Sequence, residues 1–436
     1  GDDAVVDAGG NVVVKADDDT ATTLVAGTVA LGIGGGGIGA GVGITLIDKD
    51  TRAWIGNRAV VDGRGQGSTA LTAYSGDGVD LTTAMRGVQV QARSHENLFT
   101  VSAAGAGGLY VGFAGAASVA TVDSDTLAYI GNGAQINTQA GAAHDDQDVN
   151  VSARNDLRLF NVSGALGVGA VGIAGAVDVG IIRNDTTAFI GDDATVKARR
   201  DIDVNALAKT DIDTYVVSAA GGLGALAGAV GVYSVGSGLD EDAQRRLQTD
   251  DGNAGSYVDG QATNGSISSV LNGYSDSRIR NASTRVATER ADTAASASFT
   301  ATETRLLPAG TAAFVGKRST LEAGRNIDVD AHQHVRFDML NGGLAIGAIG
   351  LGAGVGVTSF RSHTTAFVDT GTTLNAGDAG TVSVSAALDE DLDSLAFAGT
   401  GGILAVDAAV AVLKSGAHVE ARFEQGVIVE QAGSVR

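Results

Sequence analysis

Cysteine is absent from this chain of 436 residues, and it has a single proline and a single tryptophan. Without cysteine there are no disulfides and no thiolate nucleophile. Aromatic residues amount to 4%, too few for the usual core of two or three globular domains that this length suggests. Basic residues are also scarce, 29 Lys and Arg against 50 Asp and Glu, for a net charge of −21. That balance excludes nucleic acid as a partner, because such binding rests on neutralising phosphates with Lys and Arg. It also disfavours anionic membrane surfaces, and it keeps elongated molecules apart in solution.

What is present is glycine, at 65 residues, together with 44% hydrophobic residues. A glycine-rich chain with little apolar surface stays disordered. Here the apolar content is high and consists mostly of Val, Ala, Ile and Leu, so the expected core is built from small side chains repeated many times.

Three modules recur. The first reads Thr-x-Ala-aromatic-(Ile/Val)-Gly-x-x-Ala. It occurs at Thr51 to Gly56, Thr126 to Gly131, Thr186 to Gly191, Thr311 to Gly316 and Thr364 to Val368, the last with Asp369 in place of Gly. A worn sixth copy is expected at Phe423, and Gly1-Asp2-Asp3-Ala4 matches Gly191-Asp192-Asp193-Ala194, so the chain opens inside a module. The second module is an alternating strand, apolar-x-apolar-x-Ala, at Val12, Val88, Val149, Ile202, Ile327 and Val382. The third is a run of Gly, Ala, Val, Leu and Ile near 24–47, 101–122, 162–182, 216–236, 340–359 and 395–413.

Strand modules lie 53 residues apart from Val149 to Ile202 and 55 apart from Ile327 to Val382. Longer gaps mark a short insertion at 62–86 and a long one at 238–306. The long one is expected to be partly helical, from the spacing of Ile267, Val270, Leu271 and Tyr274. The fold implied is all-β: a repeat-built parallel β-helix or β-solenoid of about six ~55-residue units, a single rod over 1–436. Each unit is two ordinary coils or one wide one. Identical positions would then stack about 4.8 Å apart or at twice that. Trp54, Tyr129, Phe189, Phe314 and Phe367 should form an internal aromatic ladder.

The glycine-rich runs are long enough for membrane helices, but Gly32 to Gly39 contains six glycines, each costing about 1 kcal/mol in a helix relative to Ala. Asp178 and Asp407 lie inside two runs, where a charge at mid-bilayer costs about 3 kcal/mol or more. Mean hydropathy is only +0.14. The runs read instead as long strands with small or apolar residues on both faces. Such strands are expected to be buried on both, the second face lying under a further layer.

The Thr-x-Ala-Phe-Ile-Gly module, the Ile-Asp-Val-x-Ala strand and the Gly/Ala/Val runs together resemble leukotoxin-type filamentous adhesins, large bacterial exoproteins related in style to filamentous haemagglutinin. The resemblance covers nearly all of the chain outside the two insertions. It implies a secreted, extracellular β-helical shaft at a bacterial cell surface, exported by an outer-membrane secretion partner. Adhesion, aggregation or a biofilm matrix would be its role. Expected partners are a host or bacterial cell surface, glycans, or further copies of the chain. The shared motif is structural and carries over no catalytic residue. The family's secretion domain has no counterpart in these 436 residues.

Residues able to do chemistry were weighed against that expectation. Asp17-Asp18-Asp19 and Asp389-Glu390-Asp391 could supply oxygens to Ca²⁺, yet neither the nonapeptide pattern of calcium β-rolls nor an EF-hand loop occurs. His332 and His334 share a strand face with Asp328 and Asp330, a donor set of the kind that holds Zn²⁺, but other units have no His there. The alternative function, a β-helix carbohydrate-active enzyme or carbohydrate-binding domain, needs paired carboxylates in a cleft and stacking aromatics. Trp54 sits in the repeated aromatic slot and reads as core. No triad, phosphate loop or nucleophile elbow stands out. The chain is therefore read as a non-enzyme, with no catalytic, cofactor-binding or metal residue assigned. Micromolar Ca²⁺ should leave the melting temperature nearly unchanged in a thermal scan; a rise of many degrees would reveal a built calcium site.

Overall fold

The computed structural model describes residues 1–67, 69–139, 141–236 and 310–436. The protein is an all-β parallel solenoid in which each unit forms one wide coil. Its base is three-sided. One side is a sheet of seven short strands, β1 (Val5–Ala8), β4 (Val60–Gly63), β8 (Gln135–Ile136), β11 (Thr195–Ala198), β14 (Thr320–Ala323), β16 (Thr373–Asn375) and β19 (Ile428–Gln431). The second side is the alternating strand module, which begins a long ascending limb. The third is the Thr-x-Ala-aromatic module, which ends a long descending limb.

The ascending limbs of coils 1 to 6 are β2 (Val12–Gly32), β6 (Thr82–Gly108), β9 (Gln147–Val168), the first part of β12 (Ile202–Gly236), the first part of β15 (Ile327–Val368) and β17 (Thr381–Gly401). Those that return are β3 (Gly36–Ile55), β7 (Val111–Ile130), β10 (Val171–Ile190), the remainder of β12 with β13 (Thr311–Val315), the remainder of β15, and β18 (Leu404–Phe423). Each limb pairs in parallel with its counterpart in the next coil. Two limbs of a coil lie back to back, so the solenoid carries a thin two-layered fin along its length.

The base core follows from alternation. In the third coil Val149, Val151 and Ala153 point inward from the ascending side, Ala188 and Ile190 from the descending side, and Ala194 and Val196 from the short strand. Burying each Val or Ile contributes about 1.5–3 kcal/mol, which no coil collects without neighbours above and below. At the corner after the aromatic module the chain turns through a residue with positive φ, Asp3, Arg58, Asp193 and Arg318 at 54–57°. Asp3 and Asp193 adopt the same turn, as the match between Gly1–Ala4 and Gly191–Ala194 requires. Beside it runs a polar ladder along the axis. Asn132 N donates to Asn57 Oδ1, Asp192 N to Asn132 Oδ1 and Lys317 N to Asp192 Oδ1, each at 2.8 Å.

Inside the fin, side chains shrink with distance from the base. Nearest it lie Leu157, Leu159, Ile182, Phe337 and Phe360. Farther out the interior is alanine, including Ala104, Ala116, Ala174 and Ala227. At the distal end it is glycine: a Cβ on Gly112, Gly167 or Gly172 would overlap a facing carbonyl oxygen. The two sheets therefore converge almost to backbone contact. This corrects the expectation of a separate covering layer. The two limbs of one coil cover each other, and their outer faces leave Leu166, Val168, Leu226, Leu344 and Leu351 exposed. In the third coil the reversal between limbs falls at Gly169-Ala170.

The aromatic ladder forms with adjacent rings in adjacent coils, at centroid distances of 6.2, 4.9, 4.8 and 4.9 Å from Trp54 to Phe367. It does not line the base core. Ala188 and Ile190 point into that core, so Phe189 between them points away, into a separate cluster with Phe314 and Phe367. Trp54, read as core, is 45% exposed because it stands at the first coil with a ring on one side only. The sixth slot is also shifted by one residue: Phe423 pairs with Val368, and Arg422 takes the aromatic position, its guanidinium 4.5 Å from the Phe367 ring centroid.

The short insertion begins after Gly63, since β4 still belongs to the short-strand sheet. It contains β5 (Leu71–Tyr74), antiparallel to the start of β6. The long insertion at 238–306, with its expected helix, lies outside the described residues. Phe189 is 3% exposed and flanked by rings on both sides. Phe189→Ala should cost about 3–5 kcal/mol, read as a lowered midpoint in chemical denaturation.

Candidate functional site

A dense group of titratable side chains lies where the short insertion crosses the ascending limbs. The hairpin runs along the solenoid axis rather than along a strand. Gln89 Nε2 donates to Thr72 O (2.8 Å), and both Asn150 Nδ2 (3.1 Å) and Asn205 Nδ2 (3.0 Å) donate to Tyr74 O. Asp80 accepts from Arg154 (2.6 Å) and Lys209 (2.8 Å), and the Arg154 guanidinium stands 5.0 Å from the Tyr74 ring centroid. The hairpin thus ties coils 2, 3 and 4 together, and Gly76 at its turn lies so near Asp330 of coil 5 that a Cβ there would overlap the Asp330 side chain.

Beneath and beside it, stacking brings like charges together. Asp203 and Asp328 are register partners, with Asp201, Asp148, Asp330 and Asp77 close by. Arg200 chelates Asp148 and Arg325 chelates Asp201. Burial, then the neighbouring Asp charges, push Asp328 up to about 6 and Asp330 up to about 7; Asp203 is driven well above the carboxylate range. Asp80, held by Lys209 and Arg154, moves the other way.

A second group is sealed between the limbs. Asp178 accepts from Asn161 Nδ2 (2.6 Å), Tyr233 OH (2.7 Å) and the Thr214 hydroxyl, and burial lifts it to about 6 despite those bonds. A buried polar row between base and fin includes Glu96, which accepts from Ser94 (2.5 Å) and Ser124 (2.9 Å) and faces Lys49 at 3.1 Å. Polar groups so enclosed can specify register but cannot meet a substrate.

The singled-out acidic runs do not converge, because a strand sends successive side chains to opposite faces. Asp17 pairs outside with Lys15 and Arg93, while Asp18 meets Lys49 at 2.6 Å. Asp389 meets His334 at 3.1 Å, while Glu390 turns inward to Ser362 and Ser415. His332, His334, Asp328 and Asp330 do share one face, with His332 lowered by burial. No group of three or more His, Asp or Glu among the described residues is placed to hold a metal ion. A shallow concavity of about 420 Å³ on the short-strand sheet is lined by Asn137, Lys197, Glu322 and Asn375, where Lys197 and Glu322 pair at 2.7 Å. The hairpin bridging several coils and the Asp178 group are not legible in the repeat, although an Asp within an apolar run is a signal for the latter. No protein-family model, curated protein or solved structure matches the chain.

These raised carboxylates set a pH dependence. Unfolded, they release protons near pH 4; folded, Asp178, Asp328 and Asp330 release them between about pH 6 and 7. Across that window the folded state holds more protons, so stability falls as pH rises. Carboxylates lowered by ion pairs, such as Asp80 and Asp193, act below it. The urea midpoint should be higher at pH 5 than at pH 8, and Asp330→Asn should flatten the difference. An equal or lower midpoint at pH 5 would contradict the assignment.

Proposed function

We propose that this protein is a non-enzymatic shaft segment of an extracellular bacterial adhesin, spacing and presenting a binding surface away from the cell. One observation carries the reading: each coil repeats the same interior, residue upon residue, and the distinctive side chains lie in those stacks or on flat outer faces. A catalytic site needs a unique constellation around a cleft. Here Asp178 is sealed between limbs and Asp330 lies beneath the hairpin, while Asp125, raised to about 8 by burial and by its neighbours Asp185, Asp123 and Asp50, belongs to a repeated row of the descending limbs rather than to a cleft. A stack of parallel strands is suited to carrying length and stiffness. The repeat modules and their resemblance to filamentous adhesins point the same way, with a cell surface, its glycans or further copies as partners and an outer-membrane partner for export.

Purified protein immobilised on beads should retain bacterial or epithelial cells, and soluble protein should compete. A deletion of 238–306 separates the sources of binding: retained folding with lost attachment assigns it to the insertion, and unchanged attachment assigns it to the coils. Release of reducing ends from a polysaccharide panel, or no retention of any cell or glycan, would overturn the adhesive reading.

A further inference from the structure

The outer face of the ascending limbs carries a pattern that the solenoid itself does not require. Reading across coils 1 to 6 in register, one row is Val29, Gly105, Leu166, Ala219, Leu344, Gly399. The next row outward is Leu31, Gly107, Val168, Gly221, Ile346, Gly401. In both, odd coils bear a large side chain and even coils a small one. The row nearer the base, Gly27, Ala103, Gly164, Val217, Gly342, Phe397, has the opposite phase from coil 3 onward. On the outer face of the descending limbs the row Ile38, Phe113, Ile173, Leu226, Leu351, Val406 is uniformly large, and the next row outward, Gly36, Val111, Val171, Gly224, Ile349, Leu404, is mixed without a two-coil period. The alternating rows form a grid of knobs and holes with a repeat of two coils, above a uniformly large row of Val25, Val101, Val162, Tyr215, Leu340 and Leu395. Its knobs are exposed, Val29 by 81%, Leu31 by 77% and Ile346 by 59%.

We propose that this face binds a second copy of the chain, with both fins pointing the same way and the solenoid axes antiparallel. A twofold axis parallel to the strands then sets coil 1 against coil 6, coil 2 against coil 5 and coil 3 against coil 4. In these two rows every knob meets a hole: Val29 faces Gly399, Leu344 faces Gly105, Leu166 faces Ala219, Leu31 faces Gly401, Ile346 faces Gly107 and Val168 faces Gly221. The inner row obeys the same rule, Phe397 facing Gly27 and Val217 facing Gly164; nearer the base still, large residues face one another, Val25 against Leu395, Val101 against Leu340 and Val162 against Tyr215. An isologous contact needs just this self-complementarity.

The apolar face is roughly 26 Å deep and 29 Å long, from eight residue rises and six strand spacings. That is on the order of 750 Å², close to the ~800 Å² each partner contributes to a standard interface. A bilayer is the lesser fit. Fluid lipid selects for apolarity without a two-coil period, and a net charge of −21 repels anionic headgroups. The pairing goes beyond the adhesive reading and does not depend on it: a chain that dimerises but attaches to no cell keeps this proposal and loses the other.

Sedimentation equilibrium of the whole chain should show a dimer that tightens from 0.01 to 0.5 M salt, as Asp19 facing Asp389 and the overall charge are screened. Gly105→Leu fills a hole whose Cβ meets only ordinary contacts, so the fold should persist by circular dichroism while dimerisation weakens about tenfold or more. Adding Leu344→Gly moves the knob to the other coil and should restore the dimer. Gly115→Leu, on the descending face with open space around it, should leave it intact. A monomer at every salt concentration overturns the proposal. So does a Gly105→Leu variant that pairs like the parent, or a folded double variant that stays monomeric. Flotation of monomer with phosphatidylcholine vesicles in place of pairing would also overturn it, in favour of lipid.

Discussion

Each residue in this protein has its own counterpart as its nearest neighbour, one strand spacing along the axis. Every position must therefore tolerate repetition of itself. Branched aliphatics do so in the base, where Val149, Ile202 and Ile327 lie in register. Flat rings do so by stacking, and amides do so because one Asn side chain can accept from the next coil's backbone while its own backbone donates to the coil before. Carboxylates do not. Where Asp203 falls on Asp328, their proton affinities rise and arginines gather beside them, which is the electrostatic cost of a repeat in an otherwise uniform stack.

The same constraint explains why so much glycine yields an ordered structure. Two facing sheets that converge need ever smaller residues between them, and the interior descends from Leu and Phe through Ala to Gly. Glycine is conformationally costly in a strand. Here it permits an approach that a methyl group would block, and the ladder on either side restrains it. The larger apolar residues, which a globular protein would turn inward, are displaced to the outer faces of the fin.

Much of this architecture is legible in the sequence. The alternation at Ile202-x-Val204-x-Ala206 defines a strand with one buried face, and its recurrence every 53–55 residues sets the coil. The fivefold aromatic slot places rings in register, though not their direction. Alternation between Ala188 and Ile190 implies that Phe189 faces away, and the direction emerges once those two are assigned to the core. The covering of the glycine-rich limbs is not legible locally, since Gly and Val alternate whether the partner is a separate layer or the returning limb of the same coil. The hairpin over coils 2 to 5 is likewise opaque, because nothing at Asp80 indicates that Arg154 and Lys209 lie within reach. Phe423 misleads for a simpler reason: the last copy has lost its aromatic, and the nearest ring belongs to the neighbouring position.

Coil length varies only at the corners. The limbs of coils 2 and 3 are offset by 60 residues and those of coils 3 and 4 by 53, yet both pair without interruption. The surplus residues of coil 2 enter between Ile136 and Gln147, those of coil 1 after Gly63, and the largest excess after Gly236. A limb, by contrast, cannot gain one residue without turning its whole face over. Change in such a molecule is thus quantised. It can lengthen by whole turns and acquire ornaments at its vertices, while the blades between them are inherited at fixed length. Duplicating one complete turn preserves every neighbour relation in the rest, so reach and decoration can diverge between descendants without the stack having to be reinvented.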